Sequence, residues 1–266
     1  MKIIVCIKQV PGTSQVEIDP ATGVLKRDGV PSKLNPYDLY ALETALRFKH
    51  SLGAEVTALT MGPPQAEAVL REAFMMGVDH AVLLSARRFG GADVLATSYT
   101  LSQGIRAIGE FDMVICGRQT TDGDTAQVGA ELAEFLGITH AAGVGKVREV
   151  THFDVTVELD LPLHIEVARI TFPCLLAVEK GIFEPRLPSF RLKLATADRK
   201  VRVLTLDDLP DHDPNHYGLN GSPTQVKRIF PPENEVVQQR WEGDPEEICD
   251  RFCAFLEEKK FLQQLR

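Results

Sequence analysis

With 266 residues, 44% hydrophobic and 25% charged, the chain can bury the core of one large α/β domain or of a domain with an appendage. It has no apolar run of the roughly 18 residues that a bilayer-spanning helix needs, so membrane insertion is not expected. Its net charge of −8 argues against nucleic acid, which proteins hold with Lys and Arg, and lets an acidic protein dock only through a local basic patch.

In chain order, KIIVCI (2–7) is an apolar run of strand length, and MKIIVCIKQV turns charged too early for a secretory leader. Residues 16–29, VEIDPATGVLKRDG, alternate well enough for a hairpin turned by Asp19, Pro20 and Gly23. A helix is expected from Asn35: Asn35 caps it, Pro36 takes the first helical position and Asp38 reaches back to the cap. Leu39, Leu42 and Leu46 then form its buried stripe. Strands at 54–61, 81–85 and 111–116 alternate with helices at 65–77 and 94–109, the pattern of a parallel sheet with helical crossovers. A further helix carries Val128, Leu132, Phe135 and Leu136 on one face. Beyond residue 140, short strand-like runs take over (VTVELDLPLHIEVARITFPCLLAVEK, 155–180).

Residues 205–240 are rich in proline and polar side chains and are expected to bury no core. Asp244 then starts an amphipathic helix with Ile248, Phe252, Phe255 and Leu256 on its apolar stripe. The expected division is a nucleotide-binding α/β domain over 1–204 and a C-terminal arm and helix over 205–266 that packs on a partner. Cys6, Cys116, Cys174, Cys249 and Cys253 are an odd, scattered set, which fits free thiols in the cytoplasm. No His or further Cys near Cys249 and Cys253 completes a metal set, so no metal site is expected.

Ligands of open α/β sheets lie outside the carboxyl ends of the strands, which selects the loops after residues 7, 61, 85 and 116. The last, GRQTTDGDTAQVG (117–129), has the glycines and hydroxyls of a phosphate-holding turn, yet it carries Asp122 and Asp124 where Lys is expected. Three readings stand. Asp124 and Gln127 match a helix-capping pair. Asp122 and Asp124 would suit Mg²⁺ in a nucleotide-using enzyme, because hard cations take carboxylate oxygens. Alternatively, a nucleotide lies against the N–H groups of the turn and the positive end of the helix, with the acids turned toward ribose. Thr120, Thr121, Thr125 and Gln127 then donate to phosphate. Gly90-Gly91-Ala92-Asp93, ahead of Thr97 and Ser98, is a second candidate loop, since paired glycines admit close approach of backbone to ligand. The absence of G-x-G-x-x-G and G-x-x-x-x-G-K-[ST] at these strand ends disfavours a standard dinucleotide fold or a nucleoside triphosphatase.

VCIKQVPGTS (5–14), SKLNPYDLYALETALRFK (32–49), LTMGPPQAE (59–67), MGVDHAVLLS (76–85), CGRQTTDGDTAQVG (116–129) and GLNGSPTQVKRIFPP (218–232) occur in this order. Together they resemble the beta subunit of electron transfer flavoprotein, from residue 1 to about residue 260. The resemblance implies a three-layer, open, mostly parallel α/β sheet of the adenine-nucleotide-binding type whose C-terminal arm embraces an alpha subunit. Carried over, nucleotide contacts fall on Cys6, on Asn35, Pro36, Tyr37 and Asp38, and on Met61. They continue along Gly117, Arg118, Gln119, Thr120, Thr121, Asp122, Gly123, Asp124, Thr125, Ala126, Gln127 and Val128.

In that family the beta site holds AMP in simple electron carriers and FAD in the electron-bifurcating branch. NPYDLYALE, VPGT and RRFGGADVLATS resemble the bifurcating branch. This implies FAD, with Gly90, Gly91, Asp93, Thr97 and Ser98 holding its ribityl and phosphate part. It further implies hydride exchange with NAD(H), electrons divided between ferredoxin and the alpha-subunit FAD, and a flavin dehydrogenase of lactate or acyl-CoA type, caffeyl-CoA included, as third partner. No catalytic acid or base is assigned to the chain, because the flavin carries the redox chemistry.

Overall fold

Alternation along the first strand divides the molecule into layers. In β1 (Lys2–Cys6), Ile3 and Val5 enter one apolar core while Ile4 and Cys6 enter another, as a strand covered on both faces requires. The computed structural model describes residues 1–12, 32–227 and 238–261. The hairpin expected at 16–29 lies outside the described residues.

After β1 come the short antiparallel pair β2 (Gln9–Pro11) and β3 (Ser32–Leu34), then α1 (Pro36–Leu52), β4 (Glu55–Met61), α2 (Glu67–Met76) and β5 (His80–Leu84). α3 (Val94–Ile108), β6 (Met113–Gly117) and α4 (Val128–Leu136) follow. The chain continues through β7 (Thr139–Val150), β8 (Asp154–Asp160), β9 (Ile165–Thr171), β10 (Cys174–Val178), α5 (Phe190–Ala195) and β11 (Arg202–Leu204).

One nine-stranded sheet runs in the order β11-β5-β4-β1-β6-β10-β7-β8-β9. Neighbours are parallel from β11 to β7, and β7-β8-β9 is an antiparallel extension. Leu42 and Leu46 of α1 and Val69 and Leu70 of α2 share the core of Ile3 and Val5. Leu101 and Ile105 of α3 and Leu132 of α4 share the core of Ile4 and Cys6. The result is the expected three-layer α/β fold. From β1 the chain moves to β4 and β5 on one side and then returns to β6 on the other, so the topological switch point lies between β1 and β6, where this sheet class opens a crevice.

The first compact unit runs to Lys227, beyond the division expected at residue 204. Residues 205–227 are not core-less: Leu209 and Tyr217 are buried in the α3/α4 layer. Asp211 accepts hydrogen bonds from the Tyr99 hydroxyl at 2.5 Å and, through its backbone carbonyl, from the Tyr217 hydroxyl at 2.6 Å. Proline and polar content hid these anchors, because two apolar side chains and one carboxylate suffice to fasten a segment that forms no element of its own. The second unit, residues 228–266, contains α6 (Pro245–Glu258), capped by Asp244 as expected, with the Glu246 N–H donating to its carboxylate at 2.9 Å. Trp241 lies edge-on to Phe252 and Phe255 there. Among the described residues no helix is long and apolar enough to cross a membrane.

Candidate functional site

The carboxyl ends of β1 and β6 bring together residues 7–8, Asn35 and the loop 118–127. Asn35 is fully buried and joins the two. Its side-chain N–H donates to the Gln119 carbonyl at 2.9 Å, and its side-chain oxygen accepts from the Thr121 N–H at 3.3 Å. Asn35 was expected to cap α1, but it makes no side-chain cap bond there. Its side chain is spent on the other loop instead, while Pro36 takes the first helical position as expected.

Asp38 also departs from expectation. Its carboxylate accepts from the backbone N–H of Lys8 at 2.8 Å, whereas the N–H of Asn35 goes to the Lys8 carbonyl. Burial pushes Asp38 up to about 7, although hydrogen bonds from Asn35, Lys8 and Gly117 hold it down. Cys6 and Cys116 are register partners on β1 and β6 and form the floor beneath these loops. Burial raises both thiols, Cys116 to about 12, so neither is a thiolate near neutrality.

Lys8 was not among the expected site residues, yet it supplies the charge that the 117–129 loop lacks. Its ammonium lies 2.8 Å from the Asp122 carboxylate. Against the opposing effect of partial burial, Lys8 holds that acid below the ordinary carboxylate range. The signal in the sequence was a Lys just past the end of β1, beside the switch point. Asp124 accepts from Gln119 at 2.5 Å and does not cap α4. The helix begins at Val128 behind Gln127, with no side-chain hydrogen bond closing its start, so the capping pair expected of Asp124 and Gln127 does not form. Asp124 and Ala126 take positive φ values of 53° and 55°, a conformation that costs a non-glycine residue roughly 1 kcal/mol or more. With Asp122 on Lys8 and Asp124 on Gln119, the two acids do not converge on a cation.

The remaining expected residues fall in two places. Gly117, Thr120, Thr121, Gly123, Thr125 and Val128 line the same loop and helix start, and Tyr37 accepts from Gln119 at 3.3 Å. Met61 ends β4, the neighbour of β1. Arg118 turns outward to Glu179 at 2.7 Å. Gly90, Gly91 and Asp93 are engaged by the chain's own segment 218–224. A Cβ on Gly91 would lie 2.5 Å from the Leu219 side chain, and one on Gly218 would lie against the Arg88 carbonyl. Asp93 caps α3 through Ala96 at 3.1 Å and accepts from the Thr224 N–H and hydroxyl at 3.0 and 2.7 Å. The close approach that Gly91 permits is thus made by the Leu219 side chain of the same chain. Thr97 stands in the first turn of α3, and Ser98 bonds the Val94 carbonyl at 2.8 Å.

The crevice fits a phosphate-bearing group on two grounds. The N–H groups at the start of α4 are uncapped, which makes a ready anion site. Lys8 brings a cation, through Asp122, to the loop that leads into that start.

Residues 22–209 match the model of the electron transfer flavoprotein domain. An electron transfer flavoprotein subunit beta of Clostridium acetobutylicum is 48% identical over 86% of this chain and 87% of its own length. One from Thermoanaerobacterium thermosaccharolyticum is 45% identical over 96% and 98%. The caffeyl-CoA reductase-Etf complex subunit CarD of Acetobacterium woodii is 44% identical over 87% and 88%. With the switch-point crevice and these likenesses together, the chain belongs to the electron transfer flavoprotein family, among its beta subunits.

Proposed function

We propose that this chain is the beta subunit of an electron-bifurcating electron transfer flavoprotein and that the β1/β6 crevice holds the adenine-nucleotide part of FAD. The observation that carries the reading is the bare start of α4 facing the loop that Asn35 pins and Lys8 neutralises. Backbone N–H groups of Val128 and its neighbours would take phosphate, with Lys8 as the nearby cation, while the buried Asn35 fixes the loop. When bound, the flavin supplies hydride exchange with NAD(H) and passes electrons to ferredoxin and to an alpha-subunit FAD. The chain itself binds, orients and shields. Likeness to a subunit of a caffeyl-CoA reductase-Etf complex supports the bifurcating branch. Because Leu219 occupies the space beside Gly91, the flavin half is to be sought along the crevice toward Met61 rather than on the Gly90-Gly91 turn.

Exposed apolar side chains support the partners. Ile165 and Val167 lie on the edge strand β9 and Leu163 just before it, all exposed, and an apolar edge is a template for a covering chain, here the alpha subunit. Leu187, Phe190 and Leu194 around α5 form a second surface for a dehydrogenase of lactate or acyl-CoA type. Purification of the chain with its alpha subunit, followed by release and quantitation of nucleotides, tests the reading. Two FAD per heterodimer are expected. One FAD with one AMP would instead identify a non-bifurcating carrier with AMP in this crevice.

A further inference from the structure

Asp38 is 4% exposed, so it cannot meet a ligand in the way the exposed loop residues can. Its carboxylate faces three donors from two strands' ends: the Lys8 N–H at 2.8 Å, the Asn35 side-chain amide and the Gly117 N–H. The fit is tight, since a Cβ on Gly117 would lie 2.7 Å from the Asp38 Oδ1. The titratable and charged groups around it are Lys8 from the loop after β1, Cys6 from β1 and Cys116 from β6. The Lys8 ammonium is itself directed to Asp122.

A carboxylate accepts from every one of these donors, and such charge-assisted bonds are roughly twice as strong as neutral ones. A protonated carboxyl places an O–H against an N–H and must give up one of the contacts. Resting on the nucleotide-binding reading above, we infer that Asp38 is a positioning residue: as a carboxylate it holds the loop after β1 and the end of β6 in register for a phosphate-bearing ligand, and its protonation, with the side chain still buried, gives up one of these contacts and loosens the loops. Burial brings this exchange to about pH 7, within the range where a proton can act as a switch.

The test uses the full-length chain with FAD and with AMP, measuring affinity below and above pH 7 for wild type and Asp38→Asn. Asparagine keeps the shape and one acceptor but cannot ionise. The ratio of wild-type to variant affinity cancels any ionisation of the ligand. This ratio is expected to rise about tenfold as pH increases through the transition, the equivalent of one unit of pKa linkage. Amide exchange of residues 118–127 in the wild type, corrected for intrinsic rates, is expected to quicken below pH 7, a readout that does not depend on the variant folding. A ratio that stays constant or falls as pH increases, or loop exchange unchanged through pH 7, overturns the inference. Failure of the wild type to bind either nucleotide at any pH overturns the nucleotide-binding reading itself.

Discussion

Lys8 and Asp122, 114 residues apart in sequence, meet at 2.8 Å across the mouth of the β1/β6 crevice. The loop with acids of the wrong sign for phosphate therefore has its cation delivered from another strand end. A bound phosphate competes with Asp122 for that cation. Lys8→Met is expected to weaken AMP or FAD binding by about tenfold, the scale of one charge-assisted contact. Asp122→Asn should strengthen binding by a few-fold, because a partly exposed ion pair is worth only about 0.2–1 kcal/mol. Both effects should shrink with added salt. Equilibrium dialysis of the two variants decides the matter: unchanged affinity in Lys8→Met would remove this lysine from the site.

Gly117 lies where β6 ends against the Asn35–Asp38 turn. A methyl group there would approach the Asp38 Oδ1 and the Tyr37 carbonyl carbon to 2.7 Å, and backbone cannot yield as a side-chain tip does. Gly117→Ala is expected to destabilise the chain by about 1–3 kcal/mol, the usual cost of overpacking. Gly123→Ala, whose nearest neighbour would be the Thr120 Oγ1 at 3.7 Å, should be close to neutral. Urea unfolding of both variants, with equal slopes, measures the difference.

Asp38 also governs stability. Its carboxyl rises from the ordinary 3.8 to about 7 on folding, so between those values the native chain holds more proton than the unfolded one. Stability contributed by this group is full below the lower value and lost as pH climbs through the upper one. Asp38→Asn removes the loss. Relative to wild type, the variant should gain up to about 4 kcal/mol between mildly acidic and mildly alkaline pH, at 1.36 kcal/mol per unit, on top of a constant cost for its altered hydrogen bonds. Parallel stability–pH curves for the two proteins would show that the carboxyl does not titrate as argued.

Truncation separates the two units. Removal of residues 228–266 should leave the first unit folding cooperatively, since the compact body runs to Lys227. Removal of 205–266 takes away the buried Leu209 and Tyr217 and the Asp211 contact to Tyr99, and should lower stability by several kcal/mol on the scale of lost core side chains. Thermal unfolding of the two truncated chains makes the comparison, and equal midpoints would show that residues 205–227 are a mere appendage.

The order of helices and parallel strands through Leu136 was legible because two-residue and 3.6-residue periods are local properties; the short pair β2 and β3 was not, and the switch point came only with the order of strands in the sheet. The polar contacts were not legible. Asn35 obeys a local capping rule on paper, yet it spends its side chain on Gln119 and Thr121, 84 and 86 residues away. Asp93 was correctly placed at a helix start, but the space beside Gly91 is filled by the Leu219 side chain, and no spacing rule reaches that far. Where a site is assembled from loops of different strands, the sequence shows the parts and the fold decides which meet.

The start of α4 has one more consequence. α3, α5 and α6 are closed by the side chains of Asp93, Ser189 and Asp244, and α1 enters through Pro36. α4 enters on Gln127 with neither device; α2 also lacks a side-chain cap, but a turn that begins at Pro64 leads into it. Replacing Gln127 by Ser or Asp is a short mutational step worth about 1 kcal/mol in an ordinary helix. A lineage selected for thermal robustness alone would have many opportunities to take it. Under the proposed function the open helix end is kept for a ligand, and a library of Gln127 variants sorted once for heat resistance and once for electron transfer is expected to enrich different residues at this single position.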